Sequence, residues 1–277
     1  MSGTVHRRPA APGLVAALFG LSGHDELPGA VLVALLGDLG TGPEAARRLL
    51  ARMRDRGQLV SRRAGRATVW AMAGTFAVAA RRRRDDRGEV GEWPGHFHAL
   101  LHRVPEAQRA HRDRLRRAAA AVGYAPMQPG VLIGVEDQRE ALADVLAAMP
   151  PGTVRPAMLG MDLDAAAAVA ADAWSLAALA DDLRGHLGTL TAAVDAAGVA
   201  TPPPTAATLR HLLTLSNPVF LDLLRDPGLP VVLRPPDWPG DALRRAFGAL
   251  AATHVPPASA HIHARLAAHS SGAPPPA

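Results

Sequence analysis

Apolar positions in the first part of the chain recur at helical spacing and predict three helices, at residues 12–21, 29–39 and 43–56. In the second, Val31, Leu32, Leu35 and Leu36 share one helix face. In the third, the same spacing places four apolar side chains on a buried face: Ala46, Leu49, Leu50 and Met53. Most of its remaining positions carry charges, which is typical of a helix lying on the protein surface.

Glycine, proline and capping residues predict where these helices begin and end. Gly40 should end the second helix, and Thr41 is the expected N-cap of the third. Pro43 falls in the first turn and Glu44 is in place to complete a capping box. Gly57 is the expected C-terminal cap of the third helix. The short Leu39-Gly40-Thr41 connection suits a sharp turn between the second and third helices.

Two short strand-like runs follow, at residues 59–62 and 68–72, separated by a segment that contains Gly65. Helix, helix, tight turn, helix and hairpin is the order of a winged helix-turn-helix. We therefore predict a DNA-binding domain of this type at residues 12–73.

Such a domain lays the second of its paired helices in the major groove, where side chains near the N-terminus of that helix reach base edges. The hairpin would meet the phosphate backbone or the minor groove. The predicted DNA-binding residues are Thr41, Pro43, Glu44, Arg47 and Arg48 around the helix, and Arg62, Arg63 and Arg66 in the hairpin.

The charge distribution favours the same end of the chain. Residues 1–90 hold 15 arginines against 8 acidic residues, whereas residues 91–277 hold 15 arginines against 17 acidic residues. The basic excess thus lies in the first third, as expected for contact with a polyanion. All 30 basic residues are arginine, which we interpret as a bias of the whole chain, since lysine is missing from every segment.

The rest of the chain predicts a body of two further domains. Strand-like and helical patterns alternate from residue 93 to residue 162, which favours a small ferredoxin-like α+β domain. Residues 74–92 are predicted as a charged linker, 163–268 as a helical dimerisation and effector domain, and 269–277 as a disordered tail. The expected fold class is α+β and mostly helical.

The sequence lacks the residues or motifs that several common classes of enzyme require. There is no cysteine, no lysine for a phosphate-binding loop and no Gly-x-Ser-x-Gly elbow, so we predict a protein that is not an enzyme and has no cofactor. His96, His98 and His102 would share one face of a strand, but solvent-facing or hydrogen-bonded roles are favoured over zinc, and no metal site is predicted. No apolar run approaches the ~20 residues of a membrane span, and we expect a cytoplasmic protein.

The chain resembles the PaaX family of phenylacetic-acid catabolism repressors across most of its length, roughly residues 14–266. In the first domain the resemblance rests on Arg47, Arg52-Met53, Gly57, Gly65-Arg66 and Trp70. In the middle it rests on Trp93-Pro94-Gly95, Pro105-Glu106, Arg112, Leu115-Arg116, Gly123-Tyr124 and Gln128-Pro129-Gly130-Val131. Near the end it rests on Ala173-Trp174-Ser175-Leu176, Arg225-Asp226-Pro227, Leu229-Pro230 and Asp237-Trp238-Pro239-Gly240.

The resemblance implies a homodimeric repressor with a winged-helix reader, a middle domain similar to CRISPR-associated ferredoxin-like endoribonucleases, and a helical C-terminal domain. It also implies an aryl-CoA effector that releases the operator DNA. The candidate effector-binding residues are Arg112, Arg116 and Trp174. The two arginines are chosen because CoA phosphates require cationic partners. The chain departs from the family pattern at Phe97, where tryptophan is more usual, and at residues 102–104.

Two other functions compete with this interpretation. A metal-dependent nuclease could use the middle domain, although the end of its first predicted strand offers His102 and Arg103 and no acid before Glu106. Alternatively, the winged helix could contact another protein, in which case loss of Arg47 or Arg66 would leave DNA affinity unchanged.

Overall fold

The computed structural model describes residues 11–65, 67–85, 91–197, 201–223 and 225–271. Helices predominate and two small antiparallel sheets accompany them, so the expected α+β class is confirmed. The chain divides into two compact units. The first unit contains the described parts of residues 1–77, 185–221 and 242–277, and the second contains those of residues 78–184 and 222–241.

The first unit begins with helices and strands in the order α, β, α, α, β, β. These elements are α1 (Ala11–Ser22), β1 (Glu26–Pro28), α2 (Gly29–Asp38), α3 (Pro43–Asp55), β2 (Leu59–Ala64) and β3 (Ala67–Met72). The three strands form one antiparallel sheet in which β3 lies between β1 and β2. Helices α2 and α3 bury their apolar faces, including Leu35, Leu36, Leu50 and Met53.

Two long helices lie mostly in the first unit, α9 (Ala206–Leu223) and α10 (Gly240–Ser271). Buried leucines line both, among them Leu209, Leu213, Leu243 and Leu250. Helix α10 continues through Pro256 and Pro257, and it reaches beyond residue 268 into the segment predicted as a disordered tail. Of that tail, residues 272–277 lie outside the described residues.

The second unit is built on a four-stranded antiparallel sheet. Its elements are β4 (His96–His102), α5 (Arg109–Ala121), β5 (Ala125–Gln128), β6 (Val131–Gly134), α6 (Ala143–Ala147) and β7 (Val154–Gly160). The strand order is β5-β6-β4-β7, with α5 between β4 and β5 and α6 between β6 and β7 along the chain. Residues 138–149 hold only the single helical turn of α6 among turns.

Both faces of this sheet are covered. On one face, Leu100 and Leu132 pack with Leu115 of α5 and Val145 of α6. On the other face, Phe97, Ala99 and Ile133 pack with Ala166 and Ala170 of α7 (Leu163–Ala173) and with Leu229 and Leu233. The alternation of side chains along β4 thus supplies two cores from one strand.

The remaining helices differ from the predicted layout. Helix α4 (Gly74–Asp85) occupies most of the predicted linker 74–92, of which residues 86–90 lie outside the described part. The predicted helical segment 163–268 contributes to both units. Helix α7 belongs to the second unit, α9 and α10 belong mostly to the first, and α8 (Leu176–Ala197) begins in the second and ends in the first.

Within the described residues no single helix is long and apolar enough to cross a membrane, although α7 and α8 would meet that test if joined across their 63° bend.

Glycine ends helix α2 in the left-handed conformation that such a turn needs. Gly40 has φ +86°, its amide donates to the carbonyl of Gly37, and the amide of Thr41 donates to the carbonyl of Leu36. These two bonds form a Schellman motif. A side chain at Gly40 would have open space around it, so its cost would come from the backbone conformation alone.

We therefore expect Gly40→Ala to lower the free energy of unfolding by about 1–2 kcal/mol. The matched control is Gly37→Ala, in the last turn of the same helix, where a methyl group also meets nothing. That change should raise stability by about 0.5–1 kcal/mol, because alanine is the better helix former. Urea denaturation followed by circular dichroism measures both, and equal effects of the two variants would contradict the assignment.

Candidate nucleic-acid interface

Helix α3 presents its predicted DNA-binding side chains to solvent because its apolar residues face the core. Ala46, Leu49, Leu50 and Met53 are all buried, and the intervening charged positions are exposed. The helix ends in a second Schellman motif, in which Gly57 has φ +69° and Gln58 donates to the carbonyl of Met53. The C-terminal cap predicted at Gly57 is thus present.

The predicted start of α3 needs one correction. The N-cap is Gly42, with Pro43 at the first helical position, and no side chain caps the helix. Thr41 lies one residue before the N-cap, and its amide donates to the carbonyl of Leu36 in the turn that ends α2. Glu44 therefore completes no capping box, and its carboxylate instead lies 3.4 Å from Arg48 one turn later.

The α3 side chains differ in their partners. Glu44 and Arg48 form an exposed pair, with side chains 82% and 65% accessible, so their interaction is weak and the arginine can be released. Arg47 is exposed and forms no ion pair with any residue in the described part of the chain. Its guanidinium is thus available to an external anion.

The two described hairpin arginines point to opposite faces of the sheet. Arg62 lies opposite Val69, on the face that exposes Val60. Arg63 lies opposite Thr68, on the face that buries Leu59 and carries Trp70. Arg66 lies outside the described residues.

Strand β1, which the sequence pattern does not predict, holds Arg62 in place. The Nε of Arg62 donates to Oε1 of Glu26 at 2.9 Å, and the two groups form a bidentate pair across the sheet. The hydrogen bond from Arg62 keeps the pKa of Glu26 below its ordinary value, so this carboxylate is charged at neutral pH. Arg62 is therefore less available to DNA than Arg63.

One cavity shows that Arg47 and the inner face of the hairpin lie on the same side of the domain. Its lining includes Arg47 from α3 together with Thr68 and Trp70 from β3. Since Arg63 is the direct cross-strand neighbour of Thr68, α3 and the hairpin present Arg47 and Arg63 to a common side.

The candidate effector residues are not brought together. Arg112 and Arg116 lie on α5, close enough to His102 to lower its pKa, although burial of the imidazole is the larger cause. Trp174 packs with the cluster on the opposite face of the sheet, and its indole nitrogen donates to the carbonyl of Gly123 at 3.3 Å. A ligand held by Arg112 and Arg116 would thus have the sheet between it and Trp174.

Two histidines of β4 lie next to each other on one face of the strand. The rings of His96 and His98 meet edge to face, with centroids 5.3 Å apart. Within the described ranges, no group of three or more histidine, aspartate or glutamate side chains has the geometry to hold a metal ion.

A buried charged cluster in the first unit was missed by the sequence analysis. The carboxylate of Asp38, at the end of α2, lies 2.8 Å from Nε2 of His261 and 2.8 Å from Nη2 of Arg265. Arg210 donates to the carbonyl oxygen of Asp38 through both Nε, at 2.9 Å, and Nη2, at 2.6 Å. We call this set the Asp38 cluster; it ties α9 and α10 to the end of α2, immediately before the turn that leads into α3.

A second contact lies beside this cluster. Nε2 of His263 is 2.9 Å from the carbonyl oxygen of Ser22, at the end of α1, and its ring meets that of His24. No local pattern indicates these contacts, because the partners are separated by more than 170 positions in the sequence. The only signal is an aspartate in the last turn of a helix, where a negative charge is unfavourable without a partner.

Comparison with known proteins identifies two family regions. Residues 90–153 match the description "PaaX protein central Cas2-like domain", and residues 174–264 match "PaaX-like protein C-terminal domain". No curated protein matches the chain.

Among solved structures, the fold is similar to that of an uncharacterized protein, Rv0674, from Mycobacterium tuberculosis, with 22% sequence identity and a TM-score of 0.53. The similarity covers 92% of this chain and all of that one, and at this identity it shows the fold alone. The two family regions together span more than half of the sequence, so the chain belongs to the PaaX family, a family of transcriptional regulators.

Proposed function

We propose that this protein is a sequence-specific DNA-binding regulator whose residues 12–73 form a winged helix-turn-helix. The observation that carries the proposal is the shared orientation of Arg47 on α3 and Arg63 on the hairpin, both exposed and both on the side of the domain that carries Trp70. A helix flanked by a basic hairpin matches the major groove and the adjacent backbone. Family membership supports the same function.

Helix α3 is the proposed recognition helix. Its N-terminal turns carry Pro43, Glu44, Arg47 and Arg48 on the exposed surface, and Thr41 precedes them in the turn. An arginine can donate two hydrogen bonds to guanine in the major groove, whereas a glutamate accepts from cytosine. Because Glu44 is also paired with Arg48, contact with DNA would exchange this weak internal pair for base or phosphate contacts.

The hairpin is the proposed wing, and its two described arginines should contribute unequally. We expect Arg63→Ala to lower DNA affinity several-fold and to reduce the slope of log affinity against log salt by about 1, as for one lost phosphate contact. Arg62→Ala should have a smaller effect on both quantities, because Glu26 already neutralises this side chain. Fluorescence anisotropy at several salt concentrations measures the two slopes; a larger change for Arg62→Ala would contradict the assignment.

The proposed mode of action is repression by a homodimer on a roughly palindromic operator. Twofold symmetry in the protein would match half-sites about one helical turn, or a multiple of it, apart. An aryl-CoA thioester is the proposed effector, and it acts as a switch only if it binds the released form better than the DNA-bound form. We assign its phosphates to Arg112 and Arg116; Trp174 is better explained as a packing residue.

Selection of bound duplexes from a random pool, with the full chain and with or without phenylacetyl-CoA, tests the function. The proposal expects an enriched, roughly symmetric motif whose binding weakens steeply as salt rises and is lost with the thioester. If the winged helix instead contacts another protein, no duplex will be enriched or shifted even at low ionic strength. An enriched motif that the thioester leaves unaffected would keep the DNA-binding assignment and overturn the effector.

A further inference from the structure

The first unit contains an open cavity of about 740 Å³ whose walls come from four separate elements. Helix α2 contributes its first turns, α3 contributes one side of its length, β3 contributes three residues, and α10 contributes its last turn. The lining residues are Gly29, Ala30, Val33, Arg47, Leu50, Ala51, Arg54, Ala67, Thr68, Trp70 and His269. Pockets for small organic ligands have about this size, roughly 300–1,000 Å³.

The inner surface of the cavity is apolar and has one aromatic wall. Ala30, Val33, Leu50 and Ala51 supply short aliphatic side chains, and the half-buried indole of Trp70 supplies a flat surface. A flat apolar surface beside short side chains fits a planar ligand, because an aromatic ring can stack on the indole.

Gly29 allows the indole to lie in this position. A β-carbon built on Gly29 would be 3.0 Å from Nε1 of Trp70 and 3.2 Å from the carbonyl oxygen of Thr68. These contacts are tighter than ordinary van der Waals contacts, so a side chain at this position would displace the indole or strand β3 by a few tenths of an ångström. The position of the aromatic wall therefore fits a glycine at the start of α2.

Among the described residues, the lining of the cavity carries two arginines and no acidic side chain. Arg47 and Arg54 are seven residues apart on α3, so they lie on the same side of the helix, about 10 Å apart along its axis. Arg54 has one neighbouring acid, Asp55, at 3.3 Å, in a pair whose side chains are both more than half exposed. Surface pairs of this kind are weak and yield to a better placed anion. Thr68 and His269 add further polar groups to the lining.

We propose that this cavity is a binding site for a small organic anion with a planar apolar body, of the aromatic carboxylate type. The carboxylate would accept hydrogen bonds from the guanidinium groups of Arg47 and Arg54, which match its geometry. The apolar body would lie against Trp70 and the aliphatic side chains, where burial of its surface adds to the affinity. This site is distinct from Arg112 and Arg116, which belong to the second unit.

Occupation of the cavity would have a consequence for regulation. Arg47 would be engaged by the ligand and withdrawn from DNA, so the anion would compete directly with the operator. This consequence rests on the proposed DNA-binding function, whereas the binding site does not.

The experiment uses the full chain labelled with [15N]tryptophan and contains no DNA, so its result is independent of the proposed function. The chain has four tryptophans, and the indole signal of Trp70 is identified by its loss in Trp70→Phe. We expect titration with 2-naphthoate to shift the Trp70 signal saturably and to leave those of Trp93, Trp174 and Trp238 in place. The uncharged analogue 2-naphthylmethanol should bind about tenfold more weakly.

Two variants of α3 test the cationic lining. Arg54→Ala should weaken 2-naphthoate binding about tenfold, because one charged hydrogen-bond donor is lost. Arg52→Ala removes the same charge from an exposed position of the same helix that does not line the cavity, and it should bind as the unchanged protein does. The proposal is overturned if Trp70 shows no saturable shift, if the alcohol binds as tightly as the carboxylate, or if the two variants behave alike.

Discussion

Replacing Asp38 with alanine is expected to lower the free energy of unfolding of the first unit by about 3–5 kcal/mol, because breaking a buried ion pair leaves its cationic partner without compensation. Asp38 is 11% exposed, and its partners His261 and Arg265 are 2% and 13% exposed. Arg265 would keep its guanidinium in the interior with its principal acceptor gone. Helix α10 would also lose its polar attachment to the end of α2, whereas Arg210 of α9 would keep its hydrogen bonds to the main-chain carbonyl oxygen of residue 38.

Chemical denaturation, followed by circular dichroism, measures this loss, and two comparisons make it specific. Asp55→Ala removes a carboxylate from an exposed pair with Arg54, so it should change stability by less than about 0.5 kcal/mol. In the double variant Asp38→Ala, Arg265→Ala, the second substitution should cost much less than it does alone, because the two groups act as one unit. Additive losses would show that the Asp38 cluster does not hold the helices as described.

Replacing Arg47 with alanine is expected to reduce affinity for the selected operator by roughly ten- to hundredfold, or about 1–3 kcal/mol. The side chain is exposed, unpaired among the described residues and carried on the proposed recognition helix. Its loss should also relax the base preference at the position it reads, if its partner is guanine. Anisotropy titrations against the operator and single-base variants measure both effects.

The matched control for this prediction is Arg155→Ala, an exposed arginine on β7 in the second unit. It changes the net charge by the same amount, and a general electrostatic effect would make the two variants similar. If Arg47→Ala retains full affinity while the operator still binds, α3 is not the helix that reads DNA.

Much of the fold follows from local sequence patterns. The apolar spacing in residues 29–39 and 43–56 corresponds to α2 and α3 within one residue at each end, and Gly40 and Gly57 both take the left-handed conformation expected of helix-ending glycines. These features depend on neighbouring residues alone, because one helix turn fixes which side chains share a face. Membership of the PaaX family, inferred from short motifs in their order, is confirmed.

Other features were wrong or missing because they depend on distant parts of the chain. Residues 269–277 were predicted as a disordered tail, yet helix α10 continues through Pro256 and Pro257 to Ser271. Prolines in a helix remove hydrogen bonds, and burial of Ala258, His261 and Ile262 offsets that cost here. Strand β1 is three residues long, and it forms because β3 offers it an antiparallel partner.

In the candidate site, too, some features follow from local sequence and others depend on distant contacts. Sequence placed Arg47 and Arg48 on the exposed side of a helix, and it placed Arg62 and Arg63 in a hairpin. It could not decide that Glu26 neutralises Arg62, since that contact joins residues 36 positions apart. Nor could it separate Trp174 from Arg112 and Arg116, because the sheet between them exists only after folding.

The sequence by itself determined the helices α2 and α3, their C-terminal ends, the concentration of arginine and the family. Tertiary structure alone decided which arginines remain available, which elements surround the cavity at Trp70, and how the C-terminal helices are attached to Asp38. The physical reason is the sequence separation of the interacting residues. Helix faces and glycine turns are set within a few residues, whereas ion pairs, burial and cavities require side chains that only the folded chain brings together.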